Sequence, residues 1–371
     1  MELAEYHALK KLPTPQGPLY LKRGVVGMDD PNYSLLAGTI EAGPGAALDL
    51  NPGSGLVSLA MLAAGASVSA YEERRAALRA LEATARENQG LQVEAALPWR
   101  APRGAFKTVA LVLGAERGND WVRAQLEAAA CALEPGGSMW LAGGKKQGFE
   151  RYLNWAQKLV GPAEVVARAG GARVAVLEKG RPCAAPKIEP QAFSARLRGR
   201  ELRFYALPGV FSAGEVDPAS RLLLENLEST SGLRVLDLGA GYGALSLPLA
   251  LEGASVTLLE QSLAAVESAR MGFNAAGAAG EVLHSDVDEA LPEGSFFDIV
   301  VSNPPFHVGG HVVLDVAEAF VAAAHSRLRP GGRFYLVANP FLKYEVWMRE
   351  RFGNVRELYT GQYKVLLSVK A

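Results

Sequence analysis

Cysteine and long apolar runs are what this chain has least of. Its two cysteines, Cys131 and Cys183, stand far apart without the spacing of a metal site, so we expect two free thiols and no disulfide framework. No segment approaches the roughly 18 uninterrupted apolar residues of a membrane-spanning helix, and the first residues lack the basic-then-apolar pattern of a secretory signal. We therefore expect a cytoplasmic protein with no membrane partner.

A strong excess of charge of either sign is also absent. The formal net charge is −1, which excludes a protein that is basic all over. The densest local group of basic residues is formed by Arg196, Arg198, Arg200 and Arg203. This group predicts a restricted surface for nucleic acid, although a solvated edge strand explains the same pattern equally well. With 371 residues, the chain is long enough for two domains.

An internal repeat shows how the chain is organised. The segment Ala47–Gly55 recurs as Val235–Gly243, Gly65–Val68 recurs as Gly253–Val256, and Leu133–Ser138 is echoed by Leu328–Arg333. Repeats at this scale indicate two copies of one structural unit. Three prolines near residues 182–190 suit an extended connection between the copies. We predict a first domain over residues 1–182, a linker over 183–195 and a second domain over 196–371.

Apolar runs alternate with helical patterns in the second copy. We predict strands near 233–238, 255–260, 281–284, 297–301 and 333–337, helices near 244–251, 263–275, 314–327 and 344–351, and two closing strands. Such alternation predicts an α/β fold with a mostly parallel sheet covered on both faces by helices. Pro248 is a misfit inside the first of these helices. Ligands of such sheets bind beyond the carboxyl ends of the strands.

The most informative motif follows the fourth predicted strand and reads Asn303-Pro304-Pro305-Phe306. Consecutive prolines stiffen a turn and remove two backbone donors, so the carbonyl groups of the turn stay available as acceptors. A side-chain amide, a backbone carbonyl and an aromatic ring together can hold an exocyclic NH2 group. We therefore predict that Asn303, Pro304 and Phe306 form a catalytic site for an amine.

Three further features fall at the same predicted edge of the sheet. Gly239 and Gly241 follow the first strand, where glycine admits positive φ and lets backbone approach a ligand. Glu260 ends the second strand, where its carboxylate can accept hydrogen bonds from a ribose, and Asp286 with Val287 follows the third strand near an adenine. This glycine pattern also fits dinucleotide-binding oxidoreductases, but hydride transfer has no use for amine acceptors at Asn303.

These residues resemble the class I S-adenosylmethionine-dependent methyltransferases that act on NH2 groups. More narrowly, the C-terminal half is similar to the ribosomal RNA small subunit methyltransferase C family. The narrower resemblance rests on five segments, Leu207–Ser212, Asp217 with Ser220–Leu224, Val300–His307, Val337–Leu342 and Thr360–Val365. It implies two tandem Rossmann-like domains, each with an antiparallel edge at its C-terminal end. The implied reaction transfers a methyl group to guanine N2 in 16S rRNA.

The resemblance also implies a role for each matching residue. Asp237, Gly239 and Gly241 would line the methionine part of S-adenosylmethionine, and Glu260 would hold its ribose. Gln261 would flank the adenine, whose amino group would bind Asp286 beside Val287. Phe211 and Ser212 would close over the methionine end, while Asn303 also borders the cofactor. S-adenosylhomocysteine would be the product, no metal is required, and the partner would be 16S rRNA or the assembled small subunit.

The N-terminal copy departs from the pattern where the chemistry would occur. Asn51 and Pro52 replace Gly239 and Ala240 of the glycine loop, and Leu113–Arg117 stand where the catalytic tetrapeptide would be. We therefore predict that this half neither methylates nor binds the cofactor, and that it extends the RNA-binding surface. A scaffold without RNA contact is the alternative role. A chain with two such domains is expected to be a monomer.

Two other functions stay open at the level of sequence. A methyltransferase for a protein glutamine, or for another nucleic-acid base, would face the same problem of holding an NH2 group. A non-catalytic RNA-binding adaptor is the second alternative, but it would require a damaged tetrapeptide in both halves, whereas the second copy is intact.

Overall fold

A computed structural model describes residues 1–304 and 311–371. The chain forms two compact units, which are Leu9–Glu189 and Pro190–Ala371 together with Met1–Ala8. The first eight residues, which we had assigned to the N-terminal domain, thus belong to the C-terminal unit. They include a short helix, α1 (Leu3–His7), and the chain's amino group donates to Glu318 at 3.0 Å.

The N-terminal unit contains a hairpin and a seven-stranded sheet with strand order β5-β4-β3-β6-β7-β9-β8. Its elements are β1 (Leu9–Thr14), β2 (Gly17–Lys22), α2 (Pro31–Thr39), β3 (Gly45–Asp49), α3 (Leu56–Ala63), β4 (Ala66–Glu72), α4 (Arg75–Glu87), β5 (Leu91–Ala95), β6 (Phe106–Val112), α5 (Asn119–Ala132), β7 (Leu133–Gly144), α6 (Phe149–Leu159), β8 (Ala163–Ala169) and β9 (Ala172–Glu178).

The C-terminal unit repeats this plan, with strand order β14-β13-β12-β15-β16-β18-β17. Its elements are β10 (Gln191–Leu197), β11 (Arg200–Ala206), α7 (Pro218–Glu225), β12 (Arg234–Leu238), α8 (Ser246–Leu251), β13 (Ser255–Glu260), α9 (Leu263–Ala276), β14 (Glu281–His284), β15 (Phe297–Ser302), α10 (His311–Arg327), β16 (Leu328–Ala338), α11 (Tyr344–Phe352), β17 (Arg356–Thr360) and β18 (Lys364–Val369).

The pairing of strands follows from where the apolar residues lie. In each sheet the first five strands in chain order are parallel, and the last two pair antiparallel at the edge. All six residues of β15 are buried, as expected for a central parallel strand covered on both faces. In β3, Ala47 packs into one apolar cluster and Leu48 into another, so helices cover both faces of that sheet. The predicted fold class is confirmed.

Two local predictions need correction. Helix α8 begins at Ser246 rather than at Ala244, so Pro248 stands in its first turn, where a backbone N–H has no partner inside the helix. The predicted linker over 183–195 also extends too far, because Gln191–Ala195 pair with β11 as part of β10. Within the described parts of the chain, no helix is both long and apolar enough to cross a bilayer.

The prediction of two free thiols is wrong in this structure, where Cys131 and Cys183 form a disulfide. Cys131 lies in the last turn of helix α5, and the segment that follows β9 returns across that end of the helix. Arg103 donates to the backbone oxygen of Cys183 at 2.8 Å, which holds the returning segment in place. The pairing depends on this tertiary return, which the spacing of the two cysteines in the sequence does not reveal.

Breaking the disulfide should destabilise the N-terminal unit. Cross-linking residues 52 positions apart removes unfolded-state entropy that corresponds to about 4 kcal/mol in the chain-entropy account. We expect a reducing agent, or Cys183→Ser, to lower the midpoint of thermal unfolding, as measured by calorimetry. The double variant with Cys131→Ser is the control, since reductant should leave its midpoint unchanged. Equal midpoints for the oxidised and reduced wild-type protein would contradict this expectation.

Candidate active site

The loop after β12 brings glycine backbone to the carboxyl edge of the C-terminal sheet. Gly239 and Gly241 have φ of +73° and +57°, in the left-handed region that favours glycine. A Cβ added to Gly239 would stand 3.0 Å from the ring of Phe320, so this position has no room for a side chain. At Gly241 no atom of the described residues lies within 4 Å of an added Cβ. The loop therefore exposes bare backbone to open space at Gly241.

Asp237 lies directly beneath this loop and is fully buried. Its Oδ2 accepts a hydrogen bond from Ser246 Oγ at 2.6 Å, while its Oδ1 has no partner within the described residues. Burial raises the pKa of this carboxyl to about 7, against the lowering effect of the Ser246 hydrogen bond, and nearby Glu260 raises it further. A buried carboxyl oxygen without a donor is a binding position for a polar or cationic ligand group.

Glu260 ends β13, next to the glycine loop. Its two carboxylate oxygens accept from the backbone N–H groups of Gly241 and Ser262, each at 2.9 Å. These contacts fix the orientation of the side chain, which remains partly exposed. Because each carboxylate oxygen has two lone pairs, this geometry is compatible with the predicted contact to a ribose. Gln261 follows at the surface, where its backbone oxygen is hydrogen-bonded to His284 at 2.8 Å.

Asp286 and Val287 follow β14, at the corner where we predicted an adenine. The Asp286 carboxylate is buried, accepts from the Tyr6 hydroxyl at 3.1 Å and lies 3.5 Å from His7 Nδ1. Val287 is buried with φ of +55°, an uncommon conformation for a β-branched residue. Tyr6 and His7 therefore belong to this corner. Sequence reasoning missed both, because nothing in the sequence links them to residues about 280 positions away.

Asn303 stands at the carboxyl end of β15 and is held by two side chains that the sequence did not assign to the site. Its Nδ2 donates to Asp217 Oδ2 and to Ser220 Oγ, both at 2.9 Å. Its Oδ1 is buried, and no donor among residues 1–304 and 311–371 bonds to it. Pro304 is buried beside it. The amide oxygen of Asn303 is therefore available to accept a hydrogen bond from a ligand.

The remaining predicted site residues are Phe211, Ser212 and Phe306, of which the structure describes the first two. Phe211 is 66 % exposed, and Ser212 has φ of +55° with its hydroxyl donating to the Glu215 backbone oxygen at 2.9 Å. Phe306 lies outside the described residues. Phe341, in the loop after β16, is 67 % exposed and was not among the predicted site residues. Exposed phenyl rings near a crevice are available for stacking on a base.

The topology brings the principal predicted residues to one edge. Strands β14, β13, β12 and β15 are neighbours, and Asp286, Glu260, Asp237 and Asn303 stand at or just beyond their carboxyl ends. The edge thus offers open backbone at Gly241, three acidic side chains and an amide oxygen that has no donor among the described residues. No group of three or more His, Cys, Asp or Glu side chains that could hold a metal occurs in the described part of the chain.

Comparison with known proteins decides which family has this arrangement. Residues 201–367 match the model of the methyltransferase small domain. The ribosomal RNA small subunit methyltransferase C of Pseudomonas aeruginosa strain LESB58 is 36% identical over 71% of this chain and 78% of its own length. The chain belongs to the ribosomal RNA small subunit methyltransferase C family. The corresponding Chromohalobacter salexigens protein is 39% identical over 49% of the chain and 56% of its own length.

A solved structure extends the similarity to the whole chain. It is a 16S rRNA N2 methyltransferase of T. thermophilus in complex with AdoMet and guanosine, with 51% identity, 100% of both chains covered and a TM-score of 0.95. The predicted class I methyltransferase fold is confirmed, and so is the prediction of an S-adenosylmethionine-dependent rRNA methyltransferase. Asp237 Oδ1 and the open space at Gly241 fit such a cofactor, because Asp237 Oδ1 has no donor among the described residues and none of their atoms lies within 4 Å of an added Cβ at Gly241.

The buried carboxyl of Asp237 should give the C-terminal unit a distinctive pH profile. Its folded pKa of about 7 exceeds the ordinary 3.8, so the folded unit retains a proton that the unfolded chain releases. The stabilisation is complete below pH 4 and is lost as the pH rises through 7. We expect the free energy of unfolding of the wild-type unit to fall by up to about 4 kcal/mol between pH 4 and 8, as measured by denaturant unfolding. Asp237→Asn should remove this part of the pH dependence.

The matched control removes an exposed carboxylate from the same unit. Glu293→Gln changes the same charge without changing a buried group, so its stability profile should follow that of the wild-type protein. Parallel profiles for Asp237→Asn and the wild type would show that Asp237 titrates alike in the folded and unfolded states, against our expectation.

Proposed function

We propose that this protein transfers a methyl group from S-adenosylmethionine to the exocyclic N2 of a guanine in 16S rRNA. The buried Oδ1 of Asn303, which has no donor among residues 1–304 and 311–371, is the observation that carries the proposal. It is an acceptor placed one strand away from the glycine loop, and a guanine amine supplies the missing donor. The T. thermophilus relative, solved with AdoMet and guanosine, supports the same pairing of cofactor and substrate.

The cofactor supplies a methyl group that its sulfonium already activates, so the residues around it mainly bind and orient. Asp237, Gly239 and Gly241 would hold the methionine part, and Phe211 with Ser212 would border it. Glu260 would accept from the ribose hydroxyls. Asp286, Val287 and Gln261 would surround the adenine, with Tyr6 and His7 fixing the Asp286 carboxylate. This arrangement leaves the carboxyl end of β15 for the substrate amine.

Asn303 and Pro304 would act on the amine itself. The nitrogen lone pair of guanine N2 is delocalised into the ring and becomes available as the nitrogen turns pyramidal. Acceptors at Asn303 Oδ1 and the Pro304 carbonyl would favour that geometry and stabilise the positive charge that develops on nitrogen. Alignment of the reacting atoms can lower the barrier by roughly 7–11 kcal/mol. No general base is required, because the methylated ammonium is acidic enough to lose a proton to water.

The substrate guanine has to leave its base pair to reach this edge. Flipping costs a few kcal/mol, and stacking on an aromatic ring returns part of it. Phe306 was predicted for this role and lies outside the described residues. Phe341 is a second candidate, because its ring is exposed on the adjacent loop.

Removing the Asn303 amide should abolish methyl transfer and leave the cofactor bound. We expect Asn303→Ala to lower the single-turnover rate on 16S rRNA by at least about 100-fold, because a charge-stabilising contact of the transition state is lost. Calorimetric titration with S-adenosylhomocysteine should give a dissociation constant close to that of the wild-type protein. Asn274→Ala, on the exposed face of α9, is the control and should keep the full rate. A wild-type rate for Asn303→Ala would refute the assignment.

The N-terminal unit has the same contacts around its loop as the C-terminal unit, but side chains occupy the crevice above that loop. Ser58 donates to the buried Asp49, and the Gly53 N–H donates to Glu72, as in the other unit. Arg117, however, pairs with Glu73, and its guanidinium lies 3.6 Å from the centre of the Trp121 ring. The remaining cavity measures about 10 Å³, enough for about one water molecule.

The residue that faces the substrate is also different in the N-terminal unit. The sheet ladders align Ala110 with Val301, so Val112 rather than Leu113 corresponds to Asn303. This corrects the alignment made from sequence by one residue and leaves the conclusion unchanged, since valine has no amide. We propose that this unit neither binds the cofactor nor methylates, and that it extends the RNA-binding surface and stabilises the protein.

The number of cofactor molecules bound per chain tests whether only the C-terminal unit binds the cofactor. We expect calorimetric titration of S-adenosylhomocysteine into the full chain to reach one equivalent per chain. Glu260→Ala should remove that binding, while Glu72→Ala, the matched change in the other unit, should leave the stoichiometry at one. Two equivalents for the wild-type protein would contradict the proposal that the N-terminal crevice is closed.

The arginine-rich hairpin of β10 and β11 is the proposed RNA contact of the C-terminal unit. Arg196 and Arg203 are exposed on one face of the hairpin, and Arg203 lies 5.6 Å from the centre of the Tyr205 ring. Arg198 serves the fold instead, because it pairs with Glu252 at 2.6 Å and donates to the backbone oxygens of Leu224 and Leu227 around the end of α7. Arg198 therefore stabilises the fold, whereas the other three arginines of this group are exposed at the surface.

This surface connects to the site through α7. Arg221 donates to the Arg196 backbone oxygen at 3.0 Å, and its neighbour Ser220 holds Asn303. A groove of about 370 Å³ lies beside Arg196, Arg198 and Arg221, with Glu225 and Glu252 on its wall. We propose that backbone phosphates near the flipped guanine contact Arg196 and Arg221.

Neutralising the exposed arginines should weaken RNA binding in a salt-dependent way. We expect Arg196→Gln with Arg203→Gln to lower affinity for 16S rRNA and to reduce the slope of log affinity against log salt by about one to two. Arg234→Gln is the matched control, because Arg234 is exposed at the amino end of β12, away from the site. An unchanged slope for the double variant would contradict the proposal that the hairpin contacts RNA.

The other functions considered from sequence have less support. The family is that of small-subunit rRNA methyltransferases, which disfavours a protein glutamine as the acceptor. An adaptor without catalysis would not need the oriented amide at Asn303. We further propose a monomer that acts in the cytoplasm on 16S rRNA or on the small subunit. Size-exclusion chromatography with light scattering tests the oligomeric state.

A further inference from the structure

The amide of Asn303 has only one orientation that satisfies its neighbours. Its NH2 group carries two hydrogens, and each meets an acceptor at 2.9 Å, one on Asp217 and one on Ser220. An ionised carboxylate can only accept, so the nitrogen end of the amide must face Asp217. The oxygen end is thereby turned away from both side chains. In the described part of the chain it contacts no donor.

The two anchoring residues are themselves firmly placed. Asp217 caps α7, where its Oδ2 also accepts from the Ser220 backbone N–H at 3.1 Å, and Pro218 occupies the first helical position. Ser220 is 5 % exposed. The amide of Asn303 is therefore clamped to the rigid start of a helix rather than to a loop.

In the N-terminal unit, the corresponding aspartate caps a helix but holds no side-chain amide. There Asp30 caps α2 in the same way, accepting from the backbone N–H groups of Asn32 and Tyr33 at 2.8 and 3.3 Å. The position of Asn303 is taken by Val112, which offers no amide for a clamp. An aspartate at the start of this helix is thus retained for capping where no substrate amine is expected. Only in the C-terminal unit does it also hold a side-chain amide.

We propose that Asp217 and Ser220 are positioning residues that orient the Asn303 amide, so that its Oδ1 faces the substrate amine. This inference rests on the proposed function. The negative charge of Asp217 would also polarise the amide through its NH2 group and make Oδ1 a stronger acceptor as charge develops on the amine. The clamp would therefore raise the rate of the chemical step and leave the binding of cofactor and RNA nearly unchanged.

Exchanging the carboxylate and the amide between positions 217 and 303 tests this proposal in the full chain. Asn303→Asp alone would place two carboxylates against each other, and we expect the single-turnover rate on 16S rRNA to fall by roughly 100-fold or more. Adding Asp217→Asn removes one of the two facing negative charges and offers an amide N–H to the new carboxylate at position 303, at the expense of the contact between Oδ2 of residue 217 and the Ser220 backbone N–H. We expect the double variant to recover at least about 10-fold of the lost rate.

A purely structural role for Asp217 predicts a different outcome. Asparagine caps a helix about as well as aspartate, so Asp217→Asn should leave the thermal midpoint near that of the wild type. If capping were its whole role, Asp217→Asn would not improve the rate of Asn303→Asp. The absence of recovery in a folded double variant that binds S-adenosylhomocysteine would overturn the proposal.

Ser220→Ala provides a second measurement that does not depend on folding of the double variant. Loss of one anchor should lower the single-turnover rate by roughly 3–10-fold, with KM for the cofactor and for RNA unchanged. An unchanged rate, or a change in KM alone, would count against the clamp. These outcomes differ from failure of the proposed function, in which the wild-type protein itself would leave guanine N2 unmethylated.

Discussion

A buried carbonyl oxygen without a hydrogen-bond donor is the constraint on which the site depends. Leaving such an acceptor unsatisfied costs about 1–3 kcal/mol, so one that lies at a binding edge is a natural place for a bound molecule to supply the donor. Asn303 Oδ1 has no donor in the part of the chain that the structure describes, and it is turned away from Asp217 and Ser220 because both hydrogens of its amide are committed to them. The parallel sheet brings this oxygen to the same edge as the glycine loop, and the proposed chemistry follows from that proximity.

The two units show which contacts maintain the fold and which would serve the reaction. The pairs of a buried aspartate with serine and of a strand-ending glutamate with the glycine loop occur in both units, so they are properties of the scaffold. In both units burial raises the pKa of the aspartate to about 7. The difference lies in the space above the loop, which Arg117 and Trp121 fill in one unit, and in the exchange of an asparagine for a valine.

The sequence was sufficient for contacts that are local or periodic. Apolar alternation and the internal repeat predicted the order of strands and helices, and the short spacing between strands and motifs placed Asp237, Glu260 and Asn303 at one edge. Contacts between distant segments could not be predicted in this way. The partnership of Tyr6 with Asp286, the clamp on Asn303 and the disulfide between Cys131 and Cys183 all depend on how the chain returns on itself.

The central claim is that one oriented amide directs methyl transfer to a single guanine N2. Mass spectrometry of nucleosides from 16S rRNA tests it most directly in cells that lack the protein and carry either the wild-type chain or Asn303→Ala. The account predicts that one N2-methylguanosine is missing without the protein, returns with the wild-type chain and stays missing with Asn303→Ala. The same N2-methylguanosine content in all three would contradict it.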